Sequence, residues 1–221
     1  MMILCDFDDT TAEQNVATPL LERYQPVTVA GMHWSEMRQR FRRSELSLKE
    51  YQEYTFEAMG ASREAQAQFV RETARLREGF PEMVDYCVER GIGVSIVSHG
   101  LDFYVRALLQ QAHLAHLPVF AVENGEDMHG RVTFAYRFGD PACDWYHGNC
   151  KCHVLEELRE RGHQVIYAGD GLSDTCPARK ADFVFARAGL LSFCRACNVP
   201  HRELTDFHAV VDYLRETEAS R

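Results

Sequence analysis

The chain has 221 residues, 46% of them hydrophobic and 26% charged, with a net charge of −9. That length suits one large domain, or a core with a smaller insertion, and it allows a sizeable buried core. The negative balance argues against a general nucleic-acid or anionic-membrane surface, and no apolar run approaches the length of a membrane span.

The N-terminus shows no basic region followed by a long apolar stretch, so no signal peptide is expected and a cytoplasmic location is. Eight cysteines in a reducing compartment are expected as thiols or metal ligands rather than as disulfides.

The first element is the apolar run Met2-Ile3-Leu4-Cys5, a short buried strand that ends in Asp6-Phe7-Asp8-Asp9-Thr10. Two carboxylates two residues apart at a buried strand end repel one another and lose hydration. A divalent cation would remove that cost, because hard cations such as Mg²⁺ take one or two protein carboxylates plus substrate phosphate. The plainer reading is an acidic turn in which Asp9 or Thr10 caps the next helix.

Residues 13–78 carry helical patterns over Val16–Tyr24, Ser35–Arg43, Leu48–Met59 and Arg63–Arg77, with Ser62 as a cap and no convincing strand. The expected division is therefore an all-helical segment, 13–78, inserted into an α/β core formed by 1–12 and 79–221. Within it, Arg38, Arg42 and Arg43 are expected on a solvated helix face, with contact to a second anionic group as the alternative.

Further apolar runs follow at Ile92–Val97, which ends at Ser98-His99-Gly100, at Gln164–Ala168, which ends at Gly169-Asp170-Gly171, and at Asp182–Ala186. Continuous rather than alternating apolarity predicts strands covered on both faces. Helices are expected after Pro81, over Leu101–Gln111, over Val154–Arg161, and after a Thr205 cap. Strand–helix alternation of this kind predicts a Rossmann-like parallel sheet. Val119–Phe138 reads as a small β-hairpin insertion around Met128-His129-Gly130.

In open α/β sheets, ligands bind beyond the carboxyl ends of the strands. Those ends here carry Asp6 and Asp8, Ser98, and Asp170 with Asp174, and Lys151 lies between the last two at a helix start. Singly, each has a plain structural reading as a turn, a cap or a solvated lysine. In the order strand-DxDxT, strand-Ser, Lys, strand-GDxxxD, the set resembles the haloacid dehalogenase superfamily along the whole chain.

The resemblance implies phosphate monoester hydrolysis through an aspartyl-phosphate. Asp6 would be the nucleophile, Asp8 the general acid and base, and Lys151 the charge-neutralising group. Ser98, His99 and Gly100 would bind substrate. Mg²⁺ would be held by Asp6, Asp8 (through its carbonyl) and Asp170, with Asp174 supporting the metal or Lys151. The presence of Asp8 separates the chain from the metal-independent dehalogenases of the superfamily. The helical insertion resembles the cap of the phosphoserine-phosphatase branch. Those enzymes carry Glu nine residues after the nucleophile, where Asn15 stands here, so Asn15 is a substrate-binding candidate and phosphoserine is disfavoured.

A finer resemblance points to a methionine-salvage branch of these phosphatases. It rests on Arg77-Glu78-Gly79-Phe80, Leu101-Asp102-Phe103-Tyr104, the cysteine-rich run before Lys151, and Phe185-Ala186-Arg187. Asp9, His99 and Gly171 depart from that branch's pattern. The expected partners are a small-molecule phosphate ester and a second copy of the chain in a homodimer. The alternatives carried are another monoester such as phosphoserine or a phospho-alcohol, and a phosphotransferase or mutase using the same nucleophile. Cys143, His147, Cys150, Cys152 and His153 crowd around Lys151, but their spacing is not a standard zinc spacing, and thiols are expected, with a structural metal or a disulfide as the alternative. Cys5, Cys87, Cys176 and Cys194 are expected as small packing residues.

Overall fold

The structure is a computed structural model, and it describes residues 1–24, 31–57, 59–129, 132–140, 143 and 148–219. Seven strands form one sheet: β1 (Met2–Cys5), β2 (Gly93–Leu101), β3 (Val119–Glu126), β4 (Val132–Ala135), β5 (Val165–Gly169), β6 (Phe183–Ala186) and β7 (His201–Glu203). Their order is β4-β3-β2-β1-β5-β6-β7, and every pairing is parallel except β3 with β4. β1 lies between β2 and β5, so the chain winds outward in both directions from it. The carboxyl end of β1 is the crevice at which such sheets bind ligands.

Both sheet faces are covered, which explains the unbroken apolar runs. Ile3 and Cys5 pack on one side with Met83, Val84 and Val105, while Leu4 packs on the other with Leu155 and Leu190. The first layer is built by α5 (Phe80–Glu89), α6 (Asp102–Gln111) and α10 (His208–Ala219). The second is built by α7 (Lys151–Glu160), α8 (Thr175–Lys180) and α9 (Ala188–Cys197). Alternate residues of one strand thus serve two layers.

Four helices, α1 (Ala17–Tyr24), α2 (Trp34–Arg42), α3 (Leu48–Phe56) and α4 (Arg63–Thr73), fill the segment after β1. Ser47 and Glu50 form a reciprocal capping box at the start of α3, and Ser62 caps α4. α4 stops at Thr73, short of the predicted Arg77, because Ala74 is extended and the chain returns to meet β1: Leu76 bridges Ala12, and the Arg77 N–H donates to the Thr11 carbonyl at 2.8 Å.

The expected hairpin forms between β3 and β4, but β3 also pairs with β2 and so belongs to the main sheet. Gly130 of the predicted turn lies outside the described residues. The three-residue strand β7 was too short and too exposed to read from the sequence. At α10, Asp206 rather than Thr205 is the cap, its Oδ1 accepting from the His208 and Ala209 N–H groups. Among the described residues, no helix is long and apolar enough to cross a membrane.

Candidate active site

The three strand ends named from the sequence converge. Asp6 follows β1 directly, and its N–H donates to the Ala168 carbonyl of β5 at 2.9 Å. The Thr11 hydroxyl donates to the Asp6 carbonyl at 2.6 Å and closes a tight turn over residues 7–11. Inside that turn Asp8 is extended and Asp9 takes φ +59°.

Lys151 opens α7, where the Cys150 sulfur accepts the His153 N–H as cap. Its ammonium lies 2.6 Å from Asp6 Oδ1 and 2.7 Å from Asp174 Oδ1, and all three side chains are buried. Asp174 is fully committed. Its Oδ1 also accepts from the Tyr167 hydroxyl at 2.6 Å, and its Oδ2 accepts from the Asp170 and Gly171 N–H groups at 3.0 and 2.9 Å. The Thr10 hydroxyl bridges the two sides, at 3.4 Å from Asp6 Oδ2 and 3.2 Å from Asp170 Oδ1.

One ammonium therefore serves three carboxylates. Burial, opposed by Lys151 and reinforced by the Asp174 and Asp170 charges, pushes the Asp6 carboxyl well above the usual carboxylate range. Burial and the neighbouring Asp174 charge push Asp170 up to about 6. Burial pulls the Lys151 ammonium down, but Asp174 and Asp6 more than reverse this. Burial likewise opposes ionisation of Asp174, and Lys151, Tyr167 and the Gly171 N–H hold its carboxyl below the usual range. Carboxylate oxygens of Asp6, Asp170 and Asp174 lie within 4.8 Å of one another. Hard oxygen donors with excess negative charge fit a hard divalent cation. Because Asp174 already accepts four hydrogen bonds, against two at Asp6 and one at Asp170, Asp6 and Asp170 are the carboxylates better placed to coordinate, with Asp174 fixing Lys151 and the Asp170 loop.

Asp8 stands apart from this cluster. Its Oδ1 accepts from the Val16 N–H at 2.7 Å and its Oδ2 from the Tyr104 hydroxyl at 3.1 Å. Burial pushes its carboxyl up to about 6, held back by these two donors. A carboxyl that titrates near neutrality can give and retake a proton.

Ser98 is buried where β2 breaks register between Val97 and Leu101; its Oγ accepts from the Gly100 N–H at 2.9 Å. The irregularity turns residues 98–100 toward Asp6 and Asp8. Gly100 is required there because a Cβ would overlap the Tyr104 hydroxyl. Asn149 ties this loop to α7, donating to the Ser98 carbonyl at 3.0 Å and the Phe120 carbonyl at 3.2 Å. The His99 carbonyl accepts from Gln52 of α3 at 2.5 Å.

These residues open into a cavity of about 390 Å³. Its floor includes Asp6, Asp8, Ser98 and Lys151; its far wall includes Arg38, Phe41, Arg42 and Tyr51. The expected solvated arginine face thus divides. Arg38 and Arg42 line the cavity, whereas Arg43 pairs with Glu45 on the outside. Asn15 also lines the cavity, but its Oδ1 accepts from Thr18 N–H and Oγ1 at 2.9 and 2.8 Å and so caps α1.

Two arginines carry site roles that residue-by-residue reading did not assign. Arg77 donates to the Thr10 carbonyl at 2.7 Å and the Asp9 carbonyl at 3.0 Å, and Arg187 donates to the Asp9 carbonyl at 2.6 Å. They clamp the turn that holds Asp8. Tyr104, to which the sequence assigned only a place in the helix Leu101–Gln111 and in the Leu101–Tyr104 resemblance, reaches Asp8 with its polar tip. A buried tyrosine needing a hydrogen-bond partner was the available signal.

Of the cysteine and histidine group, His147 lies outside the described residues. Among those described, no three thiols, imidazoles or carboxylates other than Asp6, Asp170 and Asp174 converge at metal-binding distance. Cys5, Cys87 and Cys194 are buried packing residues as expected, but half-buried Cys176 meets Cys152.

The sequence places this fold in a hydrolase family. Residues 3–179 match the haloacid dehalogenase-like hydrolase family, and the chain belongs to it. Its full-length relatives include proteins named 2-hydroxy-3-keto-5-methylthiopentenyl-1-phosphate phosphatase. One from Geobacillus thermodenitrificans is 32% identical over 99% of this chain and 97% of its own length. One from Brevibacillus brevis is 28% identical over 99% and 96%. Among solved structures, a phospho-aspartyl intermediate analogue of phosphoserine phosphatase shares the fold, with a TM-score of 0.66 at 18% identity over 96% of this chain and 97% of its own.

Proposed function

We propose that this chain hydrolyses a small-molecule phosphate monoester through an aspartyl-phosphate, with Mg²⁺ held by the Asp6 and Asp170 carboxylates and the Asp8 carbonyl. The observation that carries the reading is the separation of two aspartates two residues apart: Asp6 is ion-paired to Lys151, while Asp8 is held elsewhere by Val16 and Tyr104. When bound, the cation supplies charge neutralisation on the phosphoryl oxygens.

Asp6 attacks phosphorus and takes the phosphoryl group, and the leaving alkoxide takes the proton from Asp8. Asp8, now a carboxylate, takes a proton from the water that attacks phosphorus in the second step, which frees inorganic phosphate and restores Asp6. The covalent step divides one hard displacement into two. Lys151 neutralises charge on Asp6 and on the phosphoryl oxygens, Ser98 and the loop through Gly100 bind those oxygens, and Asp174 keeps Lys151 in place.

Residues 13–78 act as a cap on the core formed by 1–12 and 79–221. The support is that α2 and α3 side chains wall the cavity that Asp6 floors. A cavity of about 390 Å³ suits a small molecule. Phe41, Leu48 and Phe56 along its wall favour an ester with an apolar portion, in keeping with the methylthiopentenyl phosphate named for the relatives. Phosphoserine is the weaker reading, because the residue nine past Asp6 is an amide engaged in capping α1.

The test is release of inorganic phosphate with Mg²⁺ from 2-hydroxy-3-keto-5-methylthiopentenyl-1-phosphate, phosphoserine and a set of phospho-alcohols. Preference for the first supports the reading. No turnover of any ester overturns it, and release only when an organic acceptor is added would instead identify a phosphotransferase.

A further inference from the structure

Cys152 and Cys176 lie back to back behind the catalytic cluster. Cys152 is the buried neighbour of Lys151 at the start of α7, and Cys176 stands two residues past Asp174 at the start of α8. Their sulfur atoms are 2.7 Å apart, closer than unbonded sulfurs pack, while a disulfide needs about 2.05 Å. The two helices are also tied further along. Arg159 donates to the Lys180 carbonyl at 2.7 Å, and Lys180 pairs with Glu156 at 2.5 Å. The thiols therefore meet as a consequence of helix packing and need little movement to bond. Cys176 is half-buried and can be reached from solvent, with Cys152 directly behind it.

We propose that Cys152 and Cys176 form a reversible disulfide that locks α7 to α8 and so clamps the frame holding Lys151 against Asp174. The oxidant is a low-molecular-weight disulfide. The Cys176 thiolate attacks one of its sulfurs, breaking the reagent's S–S bond, forming a mixed disulfide and releasing one thiolate. Cys152, its proton lost to solvent, then attacks the Cys176 sulfur, forms the internal bond and releases the second thiolate. Two protein thiols are oxidised and the reagent is reduced to two thiols. The bond closes the loop between residues 152 and 176 and restrains the unfolded chain.

The experiment treats the full chain with glutathione disulfide, blocks remaining thiols, and maps tryptic peptides without reduction. The expected product joins the peptide 152–159 to the peptide 162–179. It comes with a rise in melting temperature on the order of 5–10 °C that dithiothreitol reverses. Neither C152S nor C176S shows that rise. Cys176 found only as its glutathione mixed disulfide, or a cross-link that forms without the melting shift, overturns the proposal. The wild-type peptide map decides this even where a serine variant folds poorly.

Discussion

The Tyr104 hydroxyl donates to Asp8 Oδ2 at 3.1 Å, and Gly100 lies against the same hydroxyl. The hydrogen bond favours the ionised carboxylate and offsets part of the rise that burial imposes. Tyr104→Phe removes that donor, so Asp8 stays protonated to higher pH. In kcat/KM for phosphate release, the limb that falls as the acid is lost then moves to higher pH. Gly100→Ala forces the hydroxyl away and gives the same displacement, with kcat lowered by about tenfold or more. An unmoved limb in both variants would remove Asp8 as the acid.

Asp8 and Asp170 are both pushed up to about 6, whereas an unfolded Asp titrates near about 4. The metal-free folded chain therefore holds more protons than the unfolded chain between those values, and its stability falls as pH rises through that window. Below about pH 4 the contribution is fully present. A divalent cation reverses the loss by favouring the ionised Asp170. Thermal melting should show a larger Mg²⁺-dependent rise at pH 7.5 than at pH 5. Asp170→Asn should abolish that rise while raising metal-free stability at pH 7.5.

The turn that follows Asp6 is closed from within by the Thr11 hydroxyl and held from outside by arginines bonded to its carbonyls. Arg77 and Arg187 together hold the carbonyls of Asp9 and Thr10. Arg77→Lys replaces a fork whose Nε and Nη2 reach separate carbonyls with a single ammonium nitrogen that cannot occupy both places. A kcat loss of roughly tenfold is expected with KM nearly unchanged, since the variant misplaces Asp8 without touching the cavity wall. Asp9 at φ +59° sets a companion test. Asp9→Gly should stay within about 0.5 kcal/mol of the parent, while Asp9→Val should cost about 1–2 kcal/mol. Equal stability of the two would mean the turn relaxes in solution.

The legible part of this site was the part written as strand ends. Asp6, Ser98 and Asp170 follow continuous apolar runs, and period and charge alone mark where each run stops. Lys151 was legible only through its place in the set, because a lysine at a helix start is ordinarily solvated. Arg77 and Tyr104 were hidden for a different reason. Each acts on backbone or carboxyl atoms far away in sequence, Arg77 across 67 positions to Thr10 and Tyr104 across 96 to Asp8. No local pattern encodes such a contact. The strand β3 was read only as one arm of a hairpin because the alternating run Val132–Tyr136 after the turn gave a strong hairpin signal, which masked the pairing of the first half of β3 with β2. The Cys152–Cys176 contact likewise joins two helix starts that only the fold brings together.

Asp6 and Lys151 form one ion pair, yet their removal should have opposite signatures. Asp6→Asn leaves Lys151 paired with Asp174 at 2.7 Å, so the buried ammonium keeps a partner. One of three crowded carboxylates is gone, and Asp6 was the one raised by burial and by the other two. Denaturant unfolding should show Asp6→Asn as stable as the parent or more so, while phosphate release falls by roughly 10³-fold or more for want of the nucleophile. Lys151→Ala strands Asp6 and Asp174 in the interior without a countercharge. Breaking a buried pair in this way costs about 3–5 kcal/mol. That variant should lose stability as well as activity, and Mg²⁺ should recover only part of the stability because it cannot reach the oxygens Asp174 gives to Tyr167 and the Gly171 N–H. Two variants equally destabilised would mean that the Asp6–Lys151 pair, not Lys151 with Asp174, holds the cluster together. Activity surviving in Asp6→Asn would remove Asp6 as nucleophile.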